Sequence, residues 1–106
     1  MLNKEAARQL ALAHITQDWD ISDSQPVILD DVTIERDFGW VFFYDSSKHQ
    51  ETGEFMYAIA GNAPIIVNKH DGSIHITGTG RPTEDYIKAY EETGDPHAHE
   101  VRARQQ

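Results

Sequence analysis

The strongest pattern in the chain is an uninterrupted run of large apolar residues, Trp40–Tyr44. Both faces of such a run are apolar, which is typical of a central strand covered on each side. A tight reversal at Asp37–Gly39 precedes it, and residues 27–36 alternate imperfectly between apolar and polar positions. The pattern therefore predicts a hairpin that pairs residues 27–36 with residues 40–46.

Two shorter apolar runs, Ile65–Asn68 and Ser73–Thr77, predict a second hairpin. The segment between them ends in Asp71-Gly72, a pair that favours a hairpin turn because glycine accepts positive φ. Pro64 has no backbone N–H, so it fits the first residue of a strand or an edge position. The glycine-rich stretch 61–80 is thus interpreted as turn chemistry.

Helical spacing of apolar residues occurs near each end of the chain. Residues 3–16 have an apolar face built on Ala6, Leu10 and Ala13 with the nearby Ala7 and Ile15. Asn3 can cap this helix. Residues 83–93 form the second predicted helix, which we expect Thr83 to cap and Gly94 to end.

The remaining segments connect these elements. Residues 45–54 are polar and predict a loop, while residues 55–60 predict a short strand or a segment that lies over the sheet. The order of elements indicates an α+β fold, in which an antiparallel sheet of about four strands packs against an N-terminal and a C-terminal helix. Residues 1–94 would form this single domain, and residues 95–106 a flexible tail.

Composition narrows the class of protein. The chain of 106 residues has no cysteine, which excludes disulfides and thiolate chemistry, and its formal net charge is −9. Such a charge opposes binding to nucleic acid or anionic membranes and favours basic partners. No apolar stretch approaches the ~20 residues that span a bilayer, and the N-terminus resembles an amphipathic helix more than a signal peptide. We expect a cytoplasmic protein that is a monomer or a weak dimer.

Candidate catalytic and ligand-binding motifs are weak. The glycines of residues 61–80 do not match a phosphate loop, because Gly72 lies between two strands and no G-x-x-x-x-G-K-[ST] pattern is present. His97, His99 and Glu100 lie in the predicted tail, and His70 and His75 in the second hairpin; surface histidines explain them better than a metal site does. We therefore expect no enzyme activity, no cofactor and no metal.

The acidic residues are concentrated in two places. One is the segment 18–37, where acids greatly outnumber the single base Arg36, and the other is residues 84–95. Clustered acids on a small domain can speed association with a basic protein, although they can also serve solubility alone. The candidate partner-binding residues are Asp18, Asp20, Asp23, Asp30, Asp31, Glu51 and Glu54.

Several short motifs occur in order along the chain: residues 39–44 (GWVFFY), residues 60–67 (AGNAPIIV), Gly72, Gly78-Thr79, residues 82–87 (PTEDYI) and Tyr90-Glu91. Together they resemble the YrhB-like, immunity protein 35 family over residues 39–91, with a looser likeness in the N-terminal helix. Within this pattern the residues that look structural are Trp40, Gly61, Asn62, Pro64, Gly72, Gly78, Thr79 and Tyr86.

The resemblance implies a small bacterial cytosolic protein that accompanies a polymorphic toxin and protects the producing cell. On that basis we expect an immunity protein that masks the active site or substrate entry of a cognate toxin. The alternative within the family is a chaperone-like heat-stress protein that holds unfolded clients. A small metal-binding module is the third, less favoured hypothesis. The resemblance carries over no catalytic residue.

Overall fold

The computed structural model describes residues 1–17, 19, 23–53 and 63–98. The elements follow in the order α1 (Lys4–Gln17), β1 (Pro26–Ile28), a 3-10 helix (Asp30–Val32), β2 (Ile34–Arg36), β3 (Gly39–Phe42), β4 (Tyr44–Ser46), α2 (Ser47–Thr52), β5 (Ile65–Asn68), β6 (Ile74–Ile76) and α3 (Thr83–Thr93). The predicted α+β class is confirmed. None of the helices in the described ranges is both long and apolar enough to cross a membrane.

The strands form two antiparallel sheets where the sequence predicted one. The larger sheet has the order β2-β3-β5-β6, and the smaller sheet pairs β1 with β4. The predicted hairpin of residues 27–36 with 40–46 is therefore split into two ladders, with the 3-10 helix between β1 and β2. The apolar run breaks at Phe43, because the chain there leaves the larger sheet and begins to pair with β1.

The central strand β3 is covered on both faces, as its apolar pattern predicts. Trp40 and Phe42 point toward α1 and pack in one cluster with Ala7 and Ala11. Val41 points the other way and packs in a second cluster that contains Ile87 and other residues of α3. The two long helices thus lie on opposite faces of the larger sheet.

Of the predicted helix ends, the Asn3 cap of α1 and the Gly94 end of α3 are correct, and the Thr83 cap of α3 is wrong. The Asn3 side chain accepts a hydrogen bond from the Ala6 N–H at 2.8 Å, so the predicted cap of α1 is confirmed. Thr83 is not the cap of α3: it is the first helical residue, and the cap position is Pro82, which makes no side-chain capping bond. The restricted φ of proline places the chain at the helix entry without a polar side chain.

The polar segment 45–54 is not the loop that the sequence predicted. Asp45 and Ser46 end β4, and α2 follows at once. Ser46 caps α2, since its hydroxyl accepts the His49 N–H at 3.1 Å, and Gly53 ends it. A helix of six residues is too short to show apolar periodicity, which is why the pattern missed it. The expectation for residues 55–60 lies outside the described residues.

Gly72 and Gly78 stand where a larger residue would be strained or would clash. Gly72 has φ of +71° in the β5–β6 turn, as the Asp-Gly pair predicts. A Cβ on Gly78 would lie 2.6 Å from the hydroxyl oxygen of Tyr86, which is buried against this loop. Gly78 therefore leaves room for an aromatic ring of α3.

Residues 95–98 are packed on the domain, although the sequence assigned them to a mobile tail. Pro96 is buried, and the His97 Nε2 lies 2.9 Å from the Ile76 carbonyl oxygen. The His97 ring also packs edge-on against Tyr86, with centroids 5.6 Å apart. The rest of the predicted tail, including His99 and Glu100, lies outside the described residues.

Candidate partner-binding surface

The acidic residues that the sequence singled out lie around the smaller sheet. Asp23 precedes β1, and Asp30 and Asp31 follow it in the 3-10 helix, so carboxylates stand at both ends of this short strand. All three are exposed. Glu51 is exposed on α2, which continues directly from β4, the partner of β1. Asp18, Asp20 and Glu54 lie outside the described residues.

A hydrogen-bonded junction holds α2 against the segment that carries Asp23. The buried Ser24 hydroxyl accepts the Lys48 N–H at 3.0 Å, and the Ser47 hydroxyl accepts the Gln25 N–H at 3.0 Å. The Ser47 N–H in turn donates to the Gln25 carbonyl at 2.7 Å. The fold therefore brings acids from two separate parts of the sequence to the same end of the molecule.

One predicted contact residue, Asp30, is already engaged within the chain. The Arg8 guanidinium of α1 donates two hydrogen bonds to its carboxylate, at 2.8 and 3.2 Å. These hydrogen bonds lower the pKa of Asp30 and raise that of Arg8. Because both side chains are partly exposed, the pair adds little to stability. Its effect on the surface is to neutralise one carboxylate, so Asp30 is a weaker candidate for contact with a basic partner.

A buried carboxylate that the sequence analysis missed positions α2. Asp45 is 6% exposed, and its Oδ2 lies 2.5 Å from the His49 Nδ1 and accepts the Gln50 side-chain amide at 2.6 Å. Its Oδ1 accepts the Ser46 N–H at 2.7 Å. Burial raises the pKa of Asp45, but these hydrogen bonds outweigh burial and leave the pKa below its ordinary value. The sequence signal that could have revealed this contact is the spacing of four residues between Asp45 and His49, because a helix brings residues at that spacing together.

The described residues offer little for metal binding. They contain no group of three histidine, aspartate or glutamate side chains that could hold an ion. His75 instead packs on the Tyr90 ring, with centroids 4.8 Å apart, and its Nε2 lies 2.9 Å from the Ser73 hydroxyl. This geometry is that of a histidine engaged in packing and hydrogen bonding.

Most of the described residues that carry the family pattern lie in the core or in turns of the fold. Trp40 and Tyr86 are buried at 5% and 1% exposure. The Pro64 carbonyl, at the entry to β5, accepts both the N–H and the hydroxyl of the buried Thr77, at 3.0 and 2.6 Å. Thr79 is exposed. Gly61 and Asn62 lie outside the described residues.

Comparison with known proteins assigns this fold to a protein family. Residues 4–93 match the family described as immunity protein 35, and these bounds run from the first residue of α1 to the last residue of α3. The chain belongs to the immunity protein 35 family. It is also 38% identical over 80 residues to a protein of Escherichia coli (strain K12) described as "Uncharacterized protein YrhB", a match that covers 74% of this chain and 78% of that relative. No solved structure matches.

Membership of the immunity protein 35 family supports a general role in toxin immunity and implies binding to a cognate toxin. Immunity proteins of this kind are generally not enzymes. The acidic residues around the smaller sheet carry a charge whose sign suits a basic partner.

Proposed function

We propose that this chain is an immunity protein that binds a cognate bacterial toxin in the cytoplasm and masks its active site or substrate entry. It acts by binding, without catalysis and without a cofactor. The observation that carries the proposal is the family match over residues 4–93, which takes in the whole arrangement of helices and sheets. The proposal extends to the contact face: the acidic residues around the smaller sheet meet a basic surface of the toxin.

Charge supports this choice of face. The chain has a formal net charge of −9, so its field attracts a basic protein over distances comparable with the Debye length, about 8–10 Å at physiological salt. The Ser24 and Ser47 hydrogen bonds tie the segment beside exposed Asp23 to α2, which carries exposed Glu51. Exposed Asp31 follows β1, the strand that pairs with β4 directly before α2. A rigid set of charges loses little entropy on binding, and it raises the association rate more than it slows dissociation.

The first experiment asks whether the chain protects. The product of each reading frame next to its gene is expressed in a bacterial host with and without the chain, and growth is measured. We expect one such product to arrest growth alone and to be neutralised by the chain through a purified complex. If the chain instead prevents aggregation of several unrelated unfolded proteins and protects against none of the neighbouring products, the holdase alternative replaces this proposal.

The second experiment tests the contact face with that toxin. Asp20, Asp23 and Asp31 are changed together to Lys, and association rates are measured by surface plasmon resonance at two ionic strengths. The matched control reverses Glu35, Asp37 and Glu91, three acids outside the set proposed to bind, so that net charge changes equally.

We expect the first triple variant to associate at least tenfold more slowly at low salt, because it replaces attraction by repulsion at the contact face. The control should lose much less, and circular dichroism should show that both variants are folded. Equal losses in the two variants, or rates indifferent to salt, would assign the acidic residues to solubility and remove them from the contact face.

A further inference from the structure

Among the described residues, the larger sheet ends in two edge strands, β2 and β6, whose outer sides differ. Ser73 and Thr77 flank β6 on either side. The Ser73 carbonyl accepts the Asn68 N–H and the Thr77 N–H donates to the Pro64 carbonyl, so both residues turn their backbone groups toward the β5 side. Backbone direction alternates along an antiparallel strand. Ile74 and Ile76, between them, therefore turn their N–H and C=O groups outward.

The outer edge of β6 also offers an apolar side chain. Ile74 packs against the core cluster under α1, and Ile76, two residues on, lies on the same face of the sheet. Ile76 is 41% exposed, which is unusual for a large apolar residue in a strand of this small domain. A strand added beside β6 would pair with the outward backbone groups and cover Ile76.

The edge strand β2 is protected in ways that β6 is not. In the neighbouring strand β3, Trp40 turns its backbone groups toward β5, since the carbonyl of Phe38, two residues before it, accepts the Lys69 N–H. Glu35 of β2 lies opposite Trp40 and therefore turns its own backbone groups outward. The Glu35 carbonyl accepts a hydrogen bond from the Arg36 guanidinium at 3.2 Å, and Arg36 also pairs with Glu84 on α3. A charged residue and a long covering side chain are the usual defences of an edge strand.

On β6, the cover that the described part of the chain supplies to this outer edge is the His97 side chain. His97 Nε2 donates to the outward carbonyl of Ile76, and the His97 N–H is held by the Asp95 carboxylate at 2.8 Å. Rotation of the His97 side chain would expose the Ile76 carbonyl, whereas a strand paired with β6 would keep that carbonyl hydrogen-bonded. Among the described residues, nothing donates to the Ile74 carbonyl or accepts from the N–H groups of Ile74 and Ile76 on this outer side.

We propose that the outer edge of β6 is a strand-addition site, in which an extended basic segment of the toxin pairs with Ile74 and Ile76 and displaces His97. This inference rests on the proposed function and names a contact that the acidic face does not include. Backbone pairing supplies affinity in strand addition, and side chains at alternate positions supply specificity.

Charge selects a basic segment over a second copy of the chain. Asp71 lies in the turn that leads into β6, and Asp95 is connected to its far end through His97. A strand with lysine or arginine near its ends would meet an acid at each end of the edge. Pairing two copies of β6 would instead bring together two chains that each have a net charge of −9.

The test uses proline to remove one outward donor. Ile76→Pro deletes the outward N–H and the exposed side chain, while the bonds of the neighbouring His75 to β5 are kept. Glu35→Pro is the matched control, because it deletes the outward N–H of the opposite edge strand. We expect Ile76→Pro to weaken binding to the toxin about tenfold or more, and Glu35→Pro to change it less than about twofold.

Hydrogen exchange on the wild-type protein tests the same site without a substitution. The amides of Ile74 and Ile76 should exchange more slowly in the toxin complex than in the chain alone. Wild-type affinity in Ile76→Pro, or unchanged exchange at both amides in the complex, would overturn the strand-addition site while leaving the immunity function intact. Protection of these amides that rises with concentration of the chain alone would assign the edge to a second copy and overturn the proposal equally.

If none of the neighbouring products is neutralised, the proposed function fails and the edge is tested with a peptide. A synthetic eight-residue peptide of alternating lysine and valine should slow exchange at Ile74 and Ile76, and the glutamate–valine counterpart should not. Failure of the basic peptide to protect these amides, or equal protection by both peptides, would then overturn the preference for a basic strand.

Discussion

The buried carboxylate of Asp45 allows a quantitative test of how α2 is held. Asp45→Asn keeps the size of the side chain but removes its charge and replaces one acceptor oxygen with a donor. Three groups donate to the wild-type carboxylate: the Ser46 N–H, the Gln50 amide and the His49 ring. A hydrogen bond to a charged group contributes about 1.5–3 kcal/mol, and asparagine can keep only part of this set. We therefore expect a loss of roughly 2–4 kcal/mol in the free energy of unfolding at pH 7.

The loss of unfolding free energy caused by Asp45→Asn should depend on pH. The pKa of Asp45 is lower in the folded protein than in the unfolded chain, where it is about 3.9. The stabilisation is thus fully present above about pH 5 and is lost as the pH falls through the folded-state pKa. The gap between wild type and Asp45→Asn should be widest near neutrality and should narrow below about pH 4.

Urea denaturation, followed by tryptophan fluorescence at several pH values, measures this gap. For a domain of this size the midpoint should fall by roughly 1–2 M urea at pH 7, given typical slopes of about 1–3 kcal/mol per molar. Asp71→Asn is the matched control, because Asp71 also accepts hydrogen bonds and has a lowered pKa but is exposed. Equal midpoints for wild type and Asp45→Asn at pH 7, or a gap that is constant down to pH 3, would refute the role given to Asp45.

Two further predictions concern the scaffold. Trp40→Ala should destabilise the domain by about 3–5 kcal/mol, since it empties a buried aromatic site, and an unchanged urea midpoint would contradict this. Trp40→Phe should cost clearly less, because the indole N–H has no hydrogen-bond partner within the described ranges. Gly72→Val should lose about 1–3 kcal/mol in thermal or urea unfolding, whereas Gly72→Asn, which tolerates positive φ, should lose less. Folded Gly72→Val should still bind the toxin, and lost binding at full stability would place a ligand at this turn.

Local patterns in the sequence determined much of the fold. The bounds of α3, the Asn3 cap of α1 and the β5–β6 hairpin with its glycine turn all depend on neighbouring residues, so they could be predicted. The double apolar face of β3 likewise required cover on each side, whatever elements supplied it. The ordered motifs along residues 39–91 pointed to the family that the comparisons then showed.

Other features depended on contacts between distant segments, and only the tertiary structure decided them. The break of the apolar run at Phe43 follows from pairing with β1, and α2 depends on Asp45 and on Ser24, which is far from it in sequence. The acids around β1 could be listed from the sequence, but the neutralisation of Asp30 required Arg8 of α1 to lie beside it.

The exposed outer edge of β6 is the feature that the sequence pattern was least able to predict. Which strand of a sheet is outermost depends on strand order, and that order places β5 beside β3 although β4 and α2 lie between them in sequence. His97 reaches the Ile76 carbonyl only because α3 returns the chain to this edge. Periodicity records which side of a strand is apolar, but it carries no information on which strand has a neighbour.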